Sequence, residues 1–241
     1  MSALIYTVAV NGYQHDWSDC IATQRAYASR IGAQYVSVEK PAKVESAALG
    51  AWLKIPILLS ALESGWDHVA YIDADCEVSK DAPDFRTLFA PAGKSVLMAN
   101  GRSGRLNSGV IMARSDEGSR DFLDAVLRSI NEVIPAEDRA NLKYENGNVI
   151  AVAKQRDDVG LLAPEWNNST DLDARDFIRH YTGPMREIRK KSLVRKIRAR
   201  IAKLGTQPPT AQPAVRPEGF DATLRELTAR CVELYPALTR A

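Results

Sequence analysis

Three short apolar runs open this chain about 30 residues apart, and a helical stretch separates each from the next. They are Leu4 to Val10, Gln34 to Val38 and His68 to Ile72. Each has the length of a buried strand, and the first ends at Asn11-Gly12, a turn pair. Trp17 to Ile31 reads as a helix with Asp16 as N-cap and Gly32 as its stop. Ala51 to Glu63 reads as a second helix, ended by Ser64-Gly65, with a kink expected at Pro56. Such alternation demands an α/β layer fold with a mainly parallel sheet flanked by helices. Downstream, Ser95 to Ala99, Val110 to Ala113, Val159 to Ala163 and Phe177 to Tyr181 read as extended. Asp121 to Val133 and Tyr144 to Lys154 read as helices. Helix spacing is less regular there, so a mixed sheet is predicted.

Of the 241 residues, 45% are hydrophobic, enough for one substantial core, which residues 1–184 would supply. Formal net charge is +2, but nine Lys or Arg and one acid fall between Arg186 and Lys203. With that segment removed, acidic residues outnumber basic ones, which argues against a nucleic-acid binder. Residues 185–204 are predicted to form a basic amphipathic helix, since Ile188, Leu193, Val194, Ile197, Ile201 and Leu204 make an apolar stripe. Residues 205–219 hold four prolines and read as a linker. Residues 220–241 read as a C-terminal helix whose Leu224, Leu227, Cys231 and Leu234 would dock on the body or on a partner. The three cysteines suggest neither a disulfide framework nor a metal site. Met1 to Val10 lacks a signal-peptide pattern, and no apolar stretch approaches the ~20 residues of a membrane span. A cytoplasmic protein is expected, with any membrane contact peripheral.

Asp73-Ala74-Asp75 follows the third strand. Residues two apart on an extended chain face the same side, so both carboxylates would reach one cation. Ligands of open α/β sheets collect at the carboxyl ends of strands. Two carboxylates suit a hard ion, Mn²⁺ or Mg²⁺, which would stabilise a departing nucleoside diphosphate. With 17 Asp in the chain, such a pair is expected about once by chance, and Asp171-Leu172-Asp173 is a second copy. Only the first closes an apolar strand.

Trp52-Leu53-Lys54-Ile55-Pro56 and Trp66 through Asp75 resemble the central block of GT-A fold (Rossmann-like) glycosyltransferases. Leu106-Asn107-Ser108-Gly109-Val110-Ile111-Met112 resembles the block that contacts the donor sugar. Tyr144-Glu145-Asn146-Gly147-Asn148 resembles the acid-amide pair opening a helix beneath that sugar, although the family more often has Asp or Gln there. His180-Tyr181-Thr182-Gly183 resembles the C-terminal histidine block. The blocks occur in the order that retaining members show, notably the galactosyltransferase families with lipopolysaccharide and plant or fungal polysaccharide members, and they cover residues 3 to 184.

The resemblance implies a metal-dependent, retaining hexosyltransferase using a UDP-linked donor, with Asp73, Asp75 and His180 as metal ligands. It implies roles for Asn107, Glu145 and Asn146 at the transferred sugar. It places Ala9, Asn11, Tyr13, Lys54, Asp73 and Gly183 around the nucleotide and diphosphate. Each also has a plain reading: Asn107 as a turn residue, Glu145 as a helix-start acid, Lys54 and Tyr13 as surface residues, His180 as a structural histidine. The acceptor would be a saccharide or lipid-linked saccharide, the latter suggested by the basic segment's affinity for an anionic membrane surface. A nucleotidyltransferase is the first alternative, but Asn11-Gly12-Tyr13-Gln14 lacks its glycine-rich phosphate loop. A phosphatase would need the Asp pair near the first strand. A membrane adaptor with a non-catalytic fold is the non-enzymatic alternative.

Overall fold

The computed structural model of the chain describes residues 1–138, 144–183, 185–186 and 218–240. In chain order the elements are β1 (Ala3–Val8), α1 (Tyr13–Asp16), α2 (Ser18–Arg30), β2 (Gln34–Val38), α3 (Ala47–Trp52), α4 (Lys54–Glu63), β3 (His68–Ile72) and β4 (Cys76–Val78). They continue with α5 (Phe89–Ala92), β5 (Val96–Ala99), β6 (Val110–Arg114), α6 (Glu117–Arg128), α7 (Asn146–Ala153), β7 (Val159–Leu162), β8 (Ile178–His180) and α8 (Phe220–Leu234).

Six strands form a mixed sheet in the order β2-β1-β3-β6-β5-β7. β6 runs antiparallel to both neighbours, and the other pairs are parallel. Period-2 alternation sends side chains to two buried layers. Leu4, Tyr6, Val69, Tyr71 and Ile111 face the layer built with α3, α4, α6 and α8. Ile5, Ala70, Ile72 and Met112 face the other, closed by Tyr27, Phe85 and Phe89. β4 and β8 form a separate antiparallel pair in which Cys76 opposes His180.

Several boundaries differ from the sequence expectation. The helix predicted over Ala51 to Glu63 is two helices broken at Leu53. Pro56 has no N–H for the carbonyl of Trp52, so the interruption falls one turn before the proline, which itself sits in the first turn of α4. α6 starts at Glu117, not Asp121, because Asp116 and Ser119 form a capping box; it ends at Arg128 and passes into a 3-10 turn. Asp16 closes α1, leaving Trp17 at the N-cap of α2 without a side-chain cap bond. β4, three residues long, was not foreseen.

α8 packs on the body. Phe220, Leu224, Cys231 and Leu238 belong to the same buried layer as β1 and β3. Phe220 meets Trp52 edge-on at 6.4 Å. Tyr235 Oη accepts from the N–H groups of Glu39 and Lys40, and Trp66 Nε1 donates to Leu238 O. Leu234, expected on the apolar stripe, is exposed. The predicted basic helix, apart from Met185 and Arg186, and the linker, apart from Glu218 and Gly219, lie outside the described residues. No helix among the described residues is long and apolar enough to cross a membrane.

Because Phe220 is buried against Trp52, Phe220→Ala is expected to cost about 3–5 kcal/mol in urea unfolding. An unchanged midpoint would show that α8 is an appendage and not part of the core.

Candidate functional site

Three strand ends meet at one edge of the sheet. β1 and β3 are parallel neighbours and β6 opposes β3, so two carboxyl ends face one amino end. The Asp73 N–H donates to Gly109 O at 2.7 Å and ties the β3 exit to the β6 start. A cavity of about 380 Å³ opens there, lined by Asn11, Tyr13, Lys54, Asp73, Asp75, Asn107, Glu145, Asn146, His180 and Gly183. Of the residues singled out in the sequence, Ala9 alone is set back from it. Ala9 is buried with Trp17 and Cys20, its N–H donates to Val38 O, and its carbonyl accepts from Gln14 N. Asn11 adopts a left-handed φ of 57°, and its Oδ1 accepts from the Val44 N–H, so it shapes the loop as well as lining the cavity.

Lys54 is the first residue of α4 and is 4% exposed. Its Nζ lies 3.2 Å from Asp73 Oδ1 and 2.9 Å from Glu145 Oε1, over the ring of Tyr71 at 4.7 Å. Burial opposes the charged ammonium, but Asp73 and Glu145 outweigh it and raise its pKa. Lys54 is therefore a buried, paired cation and not the surface residue of its plain reading. Glu145 Oε1 also accepts from Ser108 Oγ at 2.7 Å, while Glu145 Oε2 is buried without a partner among the described residues. Asn146 secures the loop before β6: its Oδ1 accepts from Ser108 N at 2.8 Å and its Nδ2 donates to Leu106 O at 3.2 Å.

The acid pair is asymmetric. Burial raises the Asp73 carboxyl against the pull of Lys54, and Asp75 adds to the rise. Burial would raise Asp75 as well, but His180 and Arg186 outweigh it and hold it at about 2. His180 Nε2 lies 3.2 Å from Asp75 Oδ1 and 3.8 Å from Asp73 Oδ2. The opposite ring nitrogen, Nδ1, is 2.9 Å from Asn167 Oδ1. Burial works against a charged His180, yet the two aspartates raise its pKa.

Asp75, Cys76 and His180 bring oxygen, sulfur and nitrogen atoms within 4.8 Å of one another. Burial pushes the Cys76 thiol well above its ordinary range, so it remains a neutral thiol that suits a hard cation poorly. Asp73, Asp75 and His180 are the donors that fit such an ion. Gly109 makes room for the histidine: a Cβ there would lie 2.3 Å from His180 Cε1.

Three further residues shape the site without having been singled out. Tyr71 donates its hydroxyl to Asp73 Oδ1. It stands two residues before Asp73, so strand periodicity alone would have placed it on the same side. Ser108 was named only as one member of the block around Asn107 and Gly109, with no role of its own. Arg186 was counted with the basic segment, where a charge run hides its individual members. Its Nη2 contacts Asp75 Oδ2, and its guanidinium lies 5.4 Å from the Trp17 ring, which stacks on Tyr181.

No protein-family model matches the sequence, and no curated protein sequence does. Among solved structures, a glycosyltransferase involved in glycosylation of the major capsid of PBCV-1 superposes with a TM-score of 0.60 at 12% identity, over 78% of this chain and 97% of that one. Two structures of the glycosyltransferase GlyE from Streptococcus pneumoniae TIGR4 match with TM-scores of 0.49 at 12% and 13% identity. They cover 96% of this chain, which spans 65% and 64% of theirs. The chain thus shares the fold of the glycosyltransferase that acts in PBCV-1 capsid glycosylation.

Removing Lys54 leaves the buried Glu145 and the half-buried Asp73 carboxylates without their cation. Lys54→Ala is expected to lose about 3–5 kcal/mol in urea unfolding. A loss under about 1 kcal/mol would mean that the pairs are screened like surface ion pairs.

Proposed function

We propose that this chain is a glycosyltransferase that moves a hexose from a nucleoside-diphosphate sugar, UDP-linked, to a saccharide or lipid-linked saccharide, with retention at the transferred carbon. The observation that carries the reading is the Asp73–Asp75–His180 group at the mouth of a cavity at the strand ends, with Asp75 and His180 buried and Asp73 half-buried. Two carboxylates and one imidazole nitrogen converge there, beside a guanidinium and a buried ammonium. The shared fold with a glycosyltransferase supports the same reading.

In this proposal Asp73, Asp75 and His180 hold a divalent cation, Mn²⁺ or Mg²⁺. When bound, that cation neutralises charge on the leaving diphosphate. Arg186 meets the diphosphate from the cavity rim, where its side chain is 43% exposed and able to turn. Lys54 acts from below, holding Asp73 and Glu145 in place. Glu145, with one oxygen unengaged among the described residues, stabilises positive charge at the sugar carbon as the leaving group departs. Asn107 offers its amide NH₂ to a sugar hydroxyl, because its Oδ1 already accepts from Gly109 N and Asn167 Nδ2. Tyr13, at the cavity edge and 39% exposed, offers a face for the base. Asn11-Gly12-Tyr13 does not form a glycine-rich phosphate loop, which disfavours a nucleotidyltransferase. The basic run beginning at Arg186 suits an acceptor held at an anionic membrane surface.

UDP with Mn²⁺ is expected to raise the melting temperature of the wild-type protein, and EDTA to abolish the rise. Asp73→Asn and Asp75→Asn are each expected to weaken Mn²⁺-dependent UDP binding tenfold or more in calorimetry, with the fold retained. Gly109→Ala should act in the same direction, since its methyl group displaces the His180 ring. Wild-type affinity in both aspartate variants would remove the cation from this account.

A further inference from the structure

We infer that Asn167 is a positioning residue that locks His180 with Nε2 toward the acid pair and joins that lock to Asn107 on the sugar side of the cavity. The inference rests on the proposed role of His180 as a metal ligand. It begins from a group whose polarity is beyond choice. The backbone N–H of Gly109 can only donate, and it lies 2.8 Å from Asn107 Oδ1. The Asn107 amide therefore presents oxygen, not nitrogen, at that point. The Asn167 amide approaches the same oxygen at 3.1 Å, so it must present its NH₂ group there. Its Oδ1 then faces His180 Nδ1 at 2.9 Å, and Nδ1 must carry the proton. In the neutral ring the lone pair is thereby assigned to Nε2, the nitrogen that faces Asp75 at 3.2 Å. A backbone amide at the start of β6 thus sets a histidine tautomer through two side-chain amides.

Asn167 is built to hold this position. It is 1% exposed, so solvent does not compete for its bonds. On one side it follows Trp166, which is buried against Phe177 with ring centroids 5.1 Å apart. On the other, Asn168 pairs with the β8 strand: its N–H donates to Ile178 O, and its carbonyl accepts from the His180 N–H at 2.8 Å. Asn167 and His180 are therefore fixed on adjacent backbone. The Asn107 amide cannot flip without leaving the Gly109 N–H facing a donor.

Two substitutions separate positioning from bulk stability. Asn167→Asp retains an acceptor for Nδ1–H and loses the donor to Asn107. Asn167→Ala loses both; if it fails to fold, Asn167→Leu, of similar volume and without polar atoms, replaces it. The full-length protein is titrated with Mn²⁺ alone and with UDP present, following free Mn²⁺ by electron paramagnetic resonance, and melting is recorded in EDTA. Asn167→Ala is expected to weaken Mn²⁺ binding by about 10–100-fold, the range for partners behind a metal-bound histidine. Asn167→Asp should stay within about threefold of wild type, even where its melting temperature falls as far as that of the alanine variant. Equal Mn²⁺ affinity in wild type and both variants would overturn the positioning role while leaving the metal site standing. Affinity that tracks melting temperature in both variants would overturn it too. A wild-type protein that binds no Mn²⁺, with or without UDP, would overturn the reading of the site itself.

Discussion

One buried ammonium connects the parts of this molecule that must meet. Lys54 leaves the first turn of α4 and reaches Asp73 at the end of β3, the Ser108 carbonyl before β6, and Glu145 at the start of α7. Its own carbonyl accepts from the Tyr6 hydroxyl of β1. Burying such a charge without partners costs several kcal/mol, so these elements hold one another in place. The cavity at the strand ends follows from that mutual constraint. Asp73, Ser108 and Glu145, all bonded to Lys54, line it on one side, and Tyr13, His180 and Gly183 complete it.

The two cations beside the acid pair differ in kind. The Lys54 side chain is 5% exposed and serves the fold. The Arg186 side chain is 43% exposed, so its pair with Asp75 is screened by solvent and adds little to stability. A guanidinium held this weakly is free to follow a change in charge at the site, as the arrival of a diphosphate would bring. His180 stands between them, facing two carboxylates with one nitrogen and an amide oxygen with the other. The site therefore combines a rigid, buried floor with a solvent-facing rim.

Much of this was legible in the chain. The alternation of apolar runs and helical stretches called for the α/β sheet, and the irregular later spacing anticipated the antiparallel β6. Asp73 and Asp75 were readable as acids at a strand end, but β3 stops at Ile72 and a turn closed by the Cys76 N–H on Asp73 O, not an extended chain, carries the two carboxylates. Elements specified by long-range contacts were not readable. β4 exists only because β8, about 100 residues later, pairs with it. The break at Leu53 reflects a bond that Pro56 cannot donate, displaced from the proline by one turn. Ala9 was placed at the nucleotide by the family resemblance, yet the tertiary packing of Trp17 and Cys20 sets it back from the cavity. Ser108 and Arg186 carry no local signal, since a serine between Asn and Gly and an arginine in a basic run are both ordinary. Their roles arise from what the fold brings opposite them.

In the proposed site the Asp73, Asp75 and His180 side chains would hold one cation facing a nucleoside diphosphate. Crystals grown with Mn²⁺ and UDP, with anomalous data collected at the manganese edge, test it directly. The expected result is one strong anomalous peak within bonding distance of all three side chains, with the diphosphate density between that peak and Arg186. A peak at any other group of residues, or UDP bound in the cavity with no manganese beside it, would contradict this assignment of the three side chains.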